Sequence, residues 1–518
     1  MEQLTSIDSA FIQAETPNLP MHITTISIYD PSTAPQGLVR FKDIMRKFED
    51  AQYDVPLLRR RLVEVPGNLD FPYWIEDPDF DIEFHVRHIA LPQPGDWRQF
   101  YIQVARLHSR GVDLSRPLWE VYVIEGLNQL EDVPPGSFAV VQKLHHAAMD
   151  GASVRKMFMA MHDFSPEAPK PARNESRPLL RESRPGKVPL LLKSYQRALG
   201  RPAKLGKTAV KAIKGMRKVS AAKKAGEIAD QAVTPPKSRF NGEVGAHRVV
   251  TVARFDLEQF KKLRYAVQGA TVNDLAITVL GGALRRYLEA KGDSVEQPLV
   301  TQVPVNIRSE AQQSEDGNKI TTINVTCGSD IADPLQRLQA VQESTSAGKA
   351  KLAVMGEGLM QDMADALGPS VSKAILSAME SAAKIEVLGN LMPGGPNFAF
   401  SNLPGPPVPV YMCGAELVWG IGLGPMMPAM GLFITGTSTL DKFVFGVTAC
   451  REMVPDPEFF QQCIYASYDE CKQSLEKAAG ENDPALKAAQ KNSAGSAKSK
   501  PAAKKKAAPR KKAPAKKK

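Results

Sequence analysis

"AVVQKLHHAAMDGAS", residues 139–153, runs from apolar residues into two adjacent histidines, His145 and His146, then reaches Asp150 and Gly151. The apolar run Phe138–Leu144 reads as a buried strand, and the residues after it as a turn into a helix over 152–163. A glycine at 151 permits the tight turn into that helix.

Three chemistries compete for this arrangement. A metal site would use His146 and Asp150 on one helix face, but it lacks a third ligand at defined spacing. His22, His85, His88, His108, His162 and His247 form no HExxH pattern, so no metal is expected. A serine hydrolase needs a GxSxG elbow, and both "GASVR" (151–155) and "GTSTL" (436–440) lack its second glycine. The third is a histidine at a strand end acting as general base, deprotonating a bound hydroxyl or thiol that attacks an acyl carbonyl directly. There Asp150 locks the loop. The blander alternative leaves both histidines as loop residues without chemistry.

Composition narrows the setting. A chain of 518 residues exceeds one ordinary core, and 43% hydrophobic residues suffice for two. Five cysteines, Cys327, Cys413, Cys450, Cys463 and Cys471, show no CxxC spacing, which argues against a disulfide scaffold or thiolate zinc site. The start, "MEQLTSIDSAF", has neither a basic nor an apolar signal region, so a cytoplasmic location is expected. Of the net charge of +10, residues 481–518 carry +11, leaving the rest near neutral. That lysine-rich tail lacks the large apolar residues needed to offset its ordering entropy and is expected to be disordered.

The α/β pattern divides into residues 1–164; a proline-rich, basic linker with short amphipathic helices over 165–240; a second globular region over 241–475; and the tail over 476–518. The second region opens with the strand "RVVTVARFDL", then "LEQFKKLRYAVQG" as a helix and a long helix capped by Thr271, followed by strands "PLVTQVPVNI" and "KITTINVTC". Between Val387 and Leu440 only Glu416 is charged, yet proline and glycine break the stretch too often for a membrane-spanning helix. Buried strands and turns are expected there.

The signature HHxxxDG in "HHAAMDG" resembles that of the CoA-dependent acyltransferase superfamily. With "SIDSAFIQAETPNLPMHI" (6–23), "RPLWE" (116–120), "TVNDLAI" (271–277), "VPVNIR" (303–308), "SNLPGP" (401–406) and "CREMVPD" (450–456), in that order, the chain resembles bacterial wax ester synthase/acyl-CoA:diacylglycerol acyltransferases over residues 1–475. The resemblance implies two chloramphenicol-acetyltransferase-like α/β domains joined by a linker, with an active-site channel at their interface. It implies transfer of a fatty acyl group from acyl-CoA, a substrate rather than a cofactor, to diacylglycerol or a long-chain alcohol.

His146 is implied as the base, His145 as the residue orienting the loop, and Asp150 as the partner of an arginine, with Arg308 the candidate. Asn273 and Asp274 are expected either to contact substrate or position the catalytic loop, or to be ordinary polar residues of the first helical turn near the N-cap. Pro117, Leu118 and Trp119 are expected as a turn and an aromatic anchor, and Ser401 and Asn402 as donors to the thioester oxyanion. Phe433 stands where an asparagine is expected. Substrates so poorly soluble imply peripheral contact with an anionic membrane or lipid-droplet surface, through the basic segment Lys207–Lys224 or the tail. Two rival readings are nucleic-acid binding through the tail alone and a peptide-synthetase-like condensation protein.

Overall fold

The computed structural model describes residues 1–148, 151–167, 185–226, 234–306, 320–355, 359–384 and 395–482. Two six-stranded sheets carry the fold. The first has the order β12 (Tyr411–Met412), β13 (Ala415–Leu423), β2 (His22–Asp30), β7 (Phe138–His145), β6 (Trp119–Glu125), β5 (Val86–Ala90). The second runs β10 (Ile320–Thr326), β9 (Val300–Asn306), β11 (Phe398–Pro404), β14 (Leu432–Thr439), β15 (Lys442–Cys450), β8 (Arg248–Asp256). A small sheet joins β1 (Glu2–Gln3), β4 (Tyr73–Glu76) and β3 (Arg60–Val63).

Strand β13 comes from the second half of the chain yet pairs with β2, from Glu416 opposite Asp30 to Leu423 opposite Thr24. It gives the backbone N–H and C=O groups of β2 partners that an edge strand lacks. Residues 411–423 therefore belong, by hydrogen bonding, to the sheet of the first half. Alternation along the strands sends Ile26, Ile28, Val141, Trp419 and Ile421 to the face that meets Val250, Val252 and Val444 of the second sheet. The two halves thus share a core.

The helices α1 (Ser6–Ala14), α2 (Phe41–Ala51), α3 (Ile82–His85), α4 (Trp97–His108) and α5 (Gly151–Met161) belong to the first half of the chain. After α6 (Lys187–Lys224) come α7 (Leu257–Leu263), α8 (Val272–Ala290), α9 (Pro334–Met355), α10 (Leu359–Lys384) and α11 (Pro457–Asn482). Thr271 caps α8 as the sequence predicts, in a capping box with Asp274. Leu275, Ile277, Val279, Leu280, Leu284 and Leu288 are all buried, so α8 is the central helix of the second core.

Three expectations change. The 165–240 linker contains one helix of 38 residues rather than short ones, and it packs onto the body. Pro202 inside it removes an N–H and costs about 3 kcal/mol. Ion pairs from Arg197 and Arg201 to Asp70, and from Lys211 to Asp362, hold it in place together with the buried Leu190, Val219 and Ala222. Helix α11 runs on to Asn482, past the expected start of the tail at 476, because Leu475 and Ala479 continue its buried face. "LEQFKKLRYAVQG" keeps α-helical form only to Leu263, followed by a 3₁₀ turn over Arg264–Ala266.

The stretch after Val387, charged only at Glu416, forms strands β11 to β14 in its described residues. Among the described residues no helix is long and apolar enough to cross a membrane. The tail from 483 lies outside the described residues.

Gly281 in α8 marks a close approach: a Cβ there would sit 1.8 Å from the Cys327 carbonyl oxygen. Gly281→Ala is therefore expected to destabilise by at least about 1–3 kcal/mol, read as a lower midpoint in urea unfolding. An unchanged midpoint would show that the helix can shift.

Candidate active site

Pairing of β2 with β7 sets His22 opposite His145 at the end of the first sheet. His145 is fully buried. Its backbone N–H donates to the Leu118 carbonyl at 3.0 Å, so the Pro117–Leu118–Trp119 turn fixes the histidine's backbone. Trp119, itself buried, donates its indole N–H to the Leu58 carbonyl and stacks on His85.

The side chain of His145 has a defined tautomer. The Ala147 backbone N–H points at Nδ1 at 3.0 Å, which makes Nδ1 the acceptor and leaves the proton on Nε2. Nε2 then donates to the Glu15 carboxylate at 2.5 Å. Glu15 also lies 3.4 Å from the Met21 backbone N–H, which is turned toward it.

His146 opens a 3₁₀ turn over His146–Ala148, and its backbone N–H donates to the Met21 carbonyl at 2.8 Å. The Phe11 ring of α1 lies flat on its imidazole, with centroids 3.8 Å apart and planes at 17°. Nδ1 is enclosed without a hydrogen-bond partner from another residue among the described residues. Burial, with a smaller contribution from neighbouring His145, lowers the His146 pKa to about 4. The imidazole is therefore neutral at pH 7, as a general base must be.

Polar groups buried around the pair reinforce this. Lys143, two residues before His145 on β7, donates to the Arg110 carbonyl at 2.6 Å and to Glu120 at 3.1 Å. Burial followed by Lys143 holds His22 well below its usual pKa, and burial followed by Arg248 pulls His108 down to about 3. Arg248 donates to the Asn18 and Gly245 carbonyls, so an arginine of the second half holds the loop that carries Glu15 and Met21.

A second group gathers at the start of α8. Asn402 of β11 donates its side-chain N–H to the Asn273 side-chain oxygen, and its own Oδ1 is buried without a partner among the described residues. One of the two amide N–H donors of Asn402 is thus occupied, and the other remains for an oxyanion. Asp274 spends Oδ2 on the Thr271 N–H and hydroxyl, both at 2.7 Å, which is capping work. Ser401 is half-buried beside Asn402, opposite Thr435 of β14. No hydrogen bond or ring contact among the described residues joins this group to the histidine pair. Asp150 and Arg308 lie outside the described residues, whereas Gly151 begins α5.

Phe433, in place of the expected asparagine, packs its ring over Gly424, where a Cβ would meet it at 2.2 Å. The described residues hold no cluster of three metal-ligating side chains. Glu15 and Phe11 were not singled out by the sequence, although both lie in "SIDSAFIQAETPNLPMHI". Their signal was position: the residues just before β2 must adjoin the end of β7 once the two strands pair.

Residues 4–276 match the family described as the wax ester synthase/diacylglycerol acyltransferase catalytic domain, and residues 316–472 match its C-terminal domain. A putative diacylglycerol O-acyltransferase of Mycobacterium tuberculosis is 28% identical over 91% of both chains. One of Mycobacterium bovis is 30% identical over 91% of this chain and 98% of its own. Among solved structures, the wax ester synthase/diacylglycerol acyltransferase of Marinobacter aquaeolei superposes with a TM-score of 0.61 at 23% identity, covering 92% of this chain and 100% of that one. The first condensation domain of the calcium-dependent antibiotic synthetase reaches 0.52 at 14%, over 93% and 97% of the two chains, a likeness of fold alone. With its two family domains matched in order around the histidine pair, the chain belongs to the wax ester synthase/diacylglycerol acyltransferase family, whose members are acyl-CoA-dependent acyltransferases.

Proposed function

We propose that the chain moves a fatty acyl group from acyl-CoA to the hydroxyl of a diacylglycerol or a long-chain alcohol, with His146 as general base. The observation that carries this reading is the neutral His146 imidazole at the end of β7, clamped by Phe11, with its enclosed Nδ1 free of any partner from another residue among the described residues. His146 takes the acceptor hydroxyl's proton as its oxygen attacks the thioester carbonyl. The tetrahedral intermediate collapses, the C–S bond breaks, and the imidazolium returns its proton to the CoA thiolate. No acyl-enzyme forms. Glu15 acts through His145, holding its ring so that the turn carrying His146 keeps its course.

Incubation with palmitoyl-CoA and, separately, hexadecanol or dioleoylglycerol tests the reading, with free CoA and the lipid ester both measured. Release of CoA without ester would reduce the activity to thioester hydrolysis.

His146→Ala is expected to lower turnover by about 10²- to 10⁴-fold while the far-UV spectrum stays the same. A folded variant at near-parental rate removes His146 from the chemistry.

Glu15→Gln keeps an oxygen acceptor but loses the charge, so kcat should fall by about tenfold with KM for acyl-CoA little changed. An equal change in both would make Glu15 a binding residue instead. Glu15→Asp, which retains the charge, should recover part of the rate.

Because only neutral imidazole accepts a proton, a pKa lowered to about 4 keeps the base competent well below the ordinary histidine range. The acid limb of kcat/KM due to His146 is expected near pH 4. A limb near 6.5, on protein still folded by circular dichroism, would assign the base elsewhere.

A further inference from the structure

Helix α6 carries twelve Lys or Arg and no Asp or Glu. It is apolar on two opposite sides. Leu190, Gly215 and Val219 are buried against the body. Val188, Leu192, Tyr195, Leu199, Val210 and Ile213 fall within about 60° of arc at 3.6 residues per turn, and they are 47% to 67% exposed. This outer stripe spans roughly 38 Å of helix at 1.5 Å per residue. A helix of a monomeric protein needs only one apolar face, so the second face calls for an occupant.

Charge identifies it. Lys207, Lys214 and Lys218 are exposed and lie at about 80–120° from the stripe, on its flank. An apolar stripe flanked by lysines, with no acid on the helix, matches a leaflet with anionic headgroups: the side chains enter the acyl boundary while the ammonium groups meet phosphates. A second copy of α6 on this face would oppose like charges.

We propose that α6 is a lipid-docking helix, lying in the surface of an anionic membrane or lipid inclusion with its outer stripe inserted. The fold connects that surface to the histidine pair. Helix α6 packs on α10, and α10 packs on α1, whose Phe11 covers His146. Docking through α6 thus holds the protein against the phase in which the substrates of the proposed reaction dissolve. This consequence rests on the acyltransferase reading; the docking itself does not.

Full-length protein is sedimented with vesicles of phosphatidylcholine alone and with about one-third phosphatidylglycerol, at low and high salt. The comparison is a combined Leu192→Ser, Leu199→Ser, Val210→Ser, Ile213→Ser variant. All four positions are exposed, so its melting temperature should match the parent's. The parent should prefer anionic vesicles and keep part of its binding in high salt, where charge contacts of the tail are screened. The variant should bind at least about tenfold more weakly at low salt and not measurably at high salt. Equal binding by the two proteins overturns the proposal, as does failure of the parent to bind anionic vesicles. A parent dimer that the substitutions dissolve, with no vesicle binding, assigns the stripe to self-association and also overturns it. Binding is read without substrate, so an inactive but vesicle-bound parent would reject the acyltransferase reading and leave docking intact. If both hold, the variant should lose turnover on vesicle-embedded diacylglycerol and keep it on detergent-dispersed substrate.

Discussion

Everything at the histidine pair follows from the antiparallel pairing of β2 with β7. That register puts His22 opposite His145, and so brings the residues just before β2 to the turn just after β7. Met21 then takes the His146 N–H, Glu15 reaches His145 and Phe11 covers His146. A slip of one residue would turn every side chain of β7 to the opposite face and carry His145 away from Glu15. The register is secured from both sides: β13 closes the outer edge of β2, β6 pairs with β7, and the turn leading into β6 supplies the Leu118 carbonyl. A strand from the second half of the chain is therefore a structural condition for a site whose histidines belong to the first.

The electrostatics have the same origin. The sheet face bearing Thr24, Lys143 and His145 is covered by the second half, and burial there penalises charge. Lys143 remains tolerable through Glu120 and the Arg110 carbonyl, while His22 and His108 respond by being held neutral. Their folded pKa values lie below the usual 6.5, so the folded state binds fewer protons than the unfolded one between the two values. Their contribution to stability is complete above about pH 6.5 and is lost as pH falls, toward about 3 for His108. The environment that keeps His146 a free base also makes this interface sensitive to acid.

What the sequence revealed was local, and what it concealed was long-range. The apolar run ending in His145, the Thr271 cap and the strands at 300–306 and 320–326 are legible because alternation and capping act within a few residues. Glu15 was not legible as the partner of His145, since that contact spans 130 residues and exists only once β2 and β7 pair. The linker was misread for a similar reason. Pro202 and the glycines of α6 are helix-breaking signals in isolation, and the helix persists where Leu190, Val219 and Ala222 pack on the body and Asp70 and Asp362 pair with it, long-range contacts that no local pattern displays. The crossing of β13 into the first sheet is equally a property of tertiary pairing.

The start of α8 shows the same distinction within one motif. "TVNDLAI" places two polar residues where either a helix cap or a substrate contact is reasonable, and the structure divides the labour between them. Asp274 gives Oδ2 to Thr271 and so begins the central helix of the second core, while its buried Oδ1 has no partner among the described residues. Asn273 instead reaches Asn402 and ties that helix to β11, whose neighbour β14 lies against β13. Since β13 also pairs with β2, a continuous path of packed elements runs from the α8 cap to the strand opposite His145. Phe433 on β14, packed over Gly424 just beyond β13, lies along that path, and its ring fills the space beside a glycine that has no side chain to displace it.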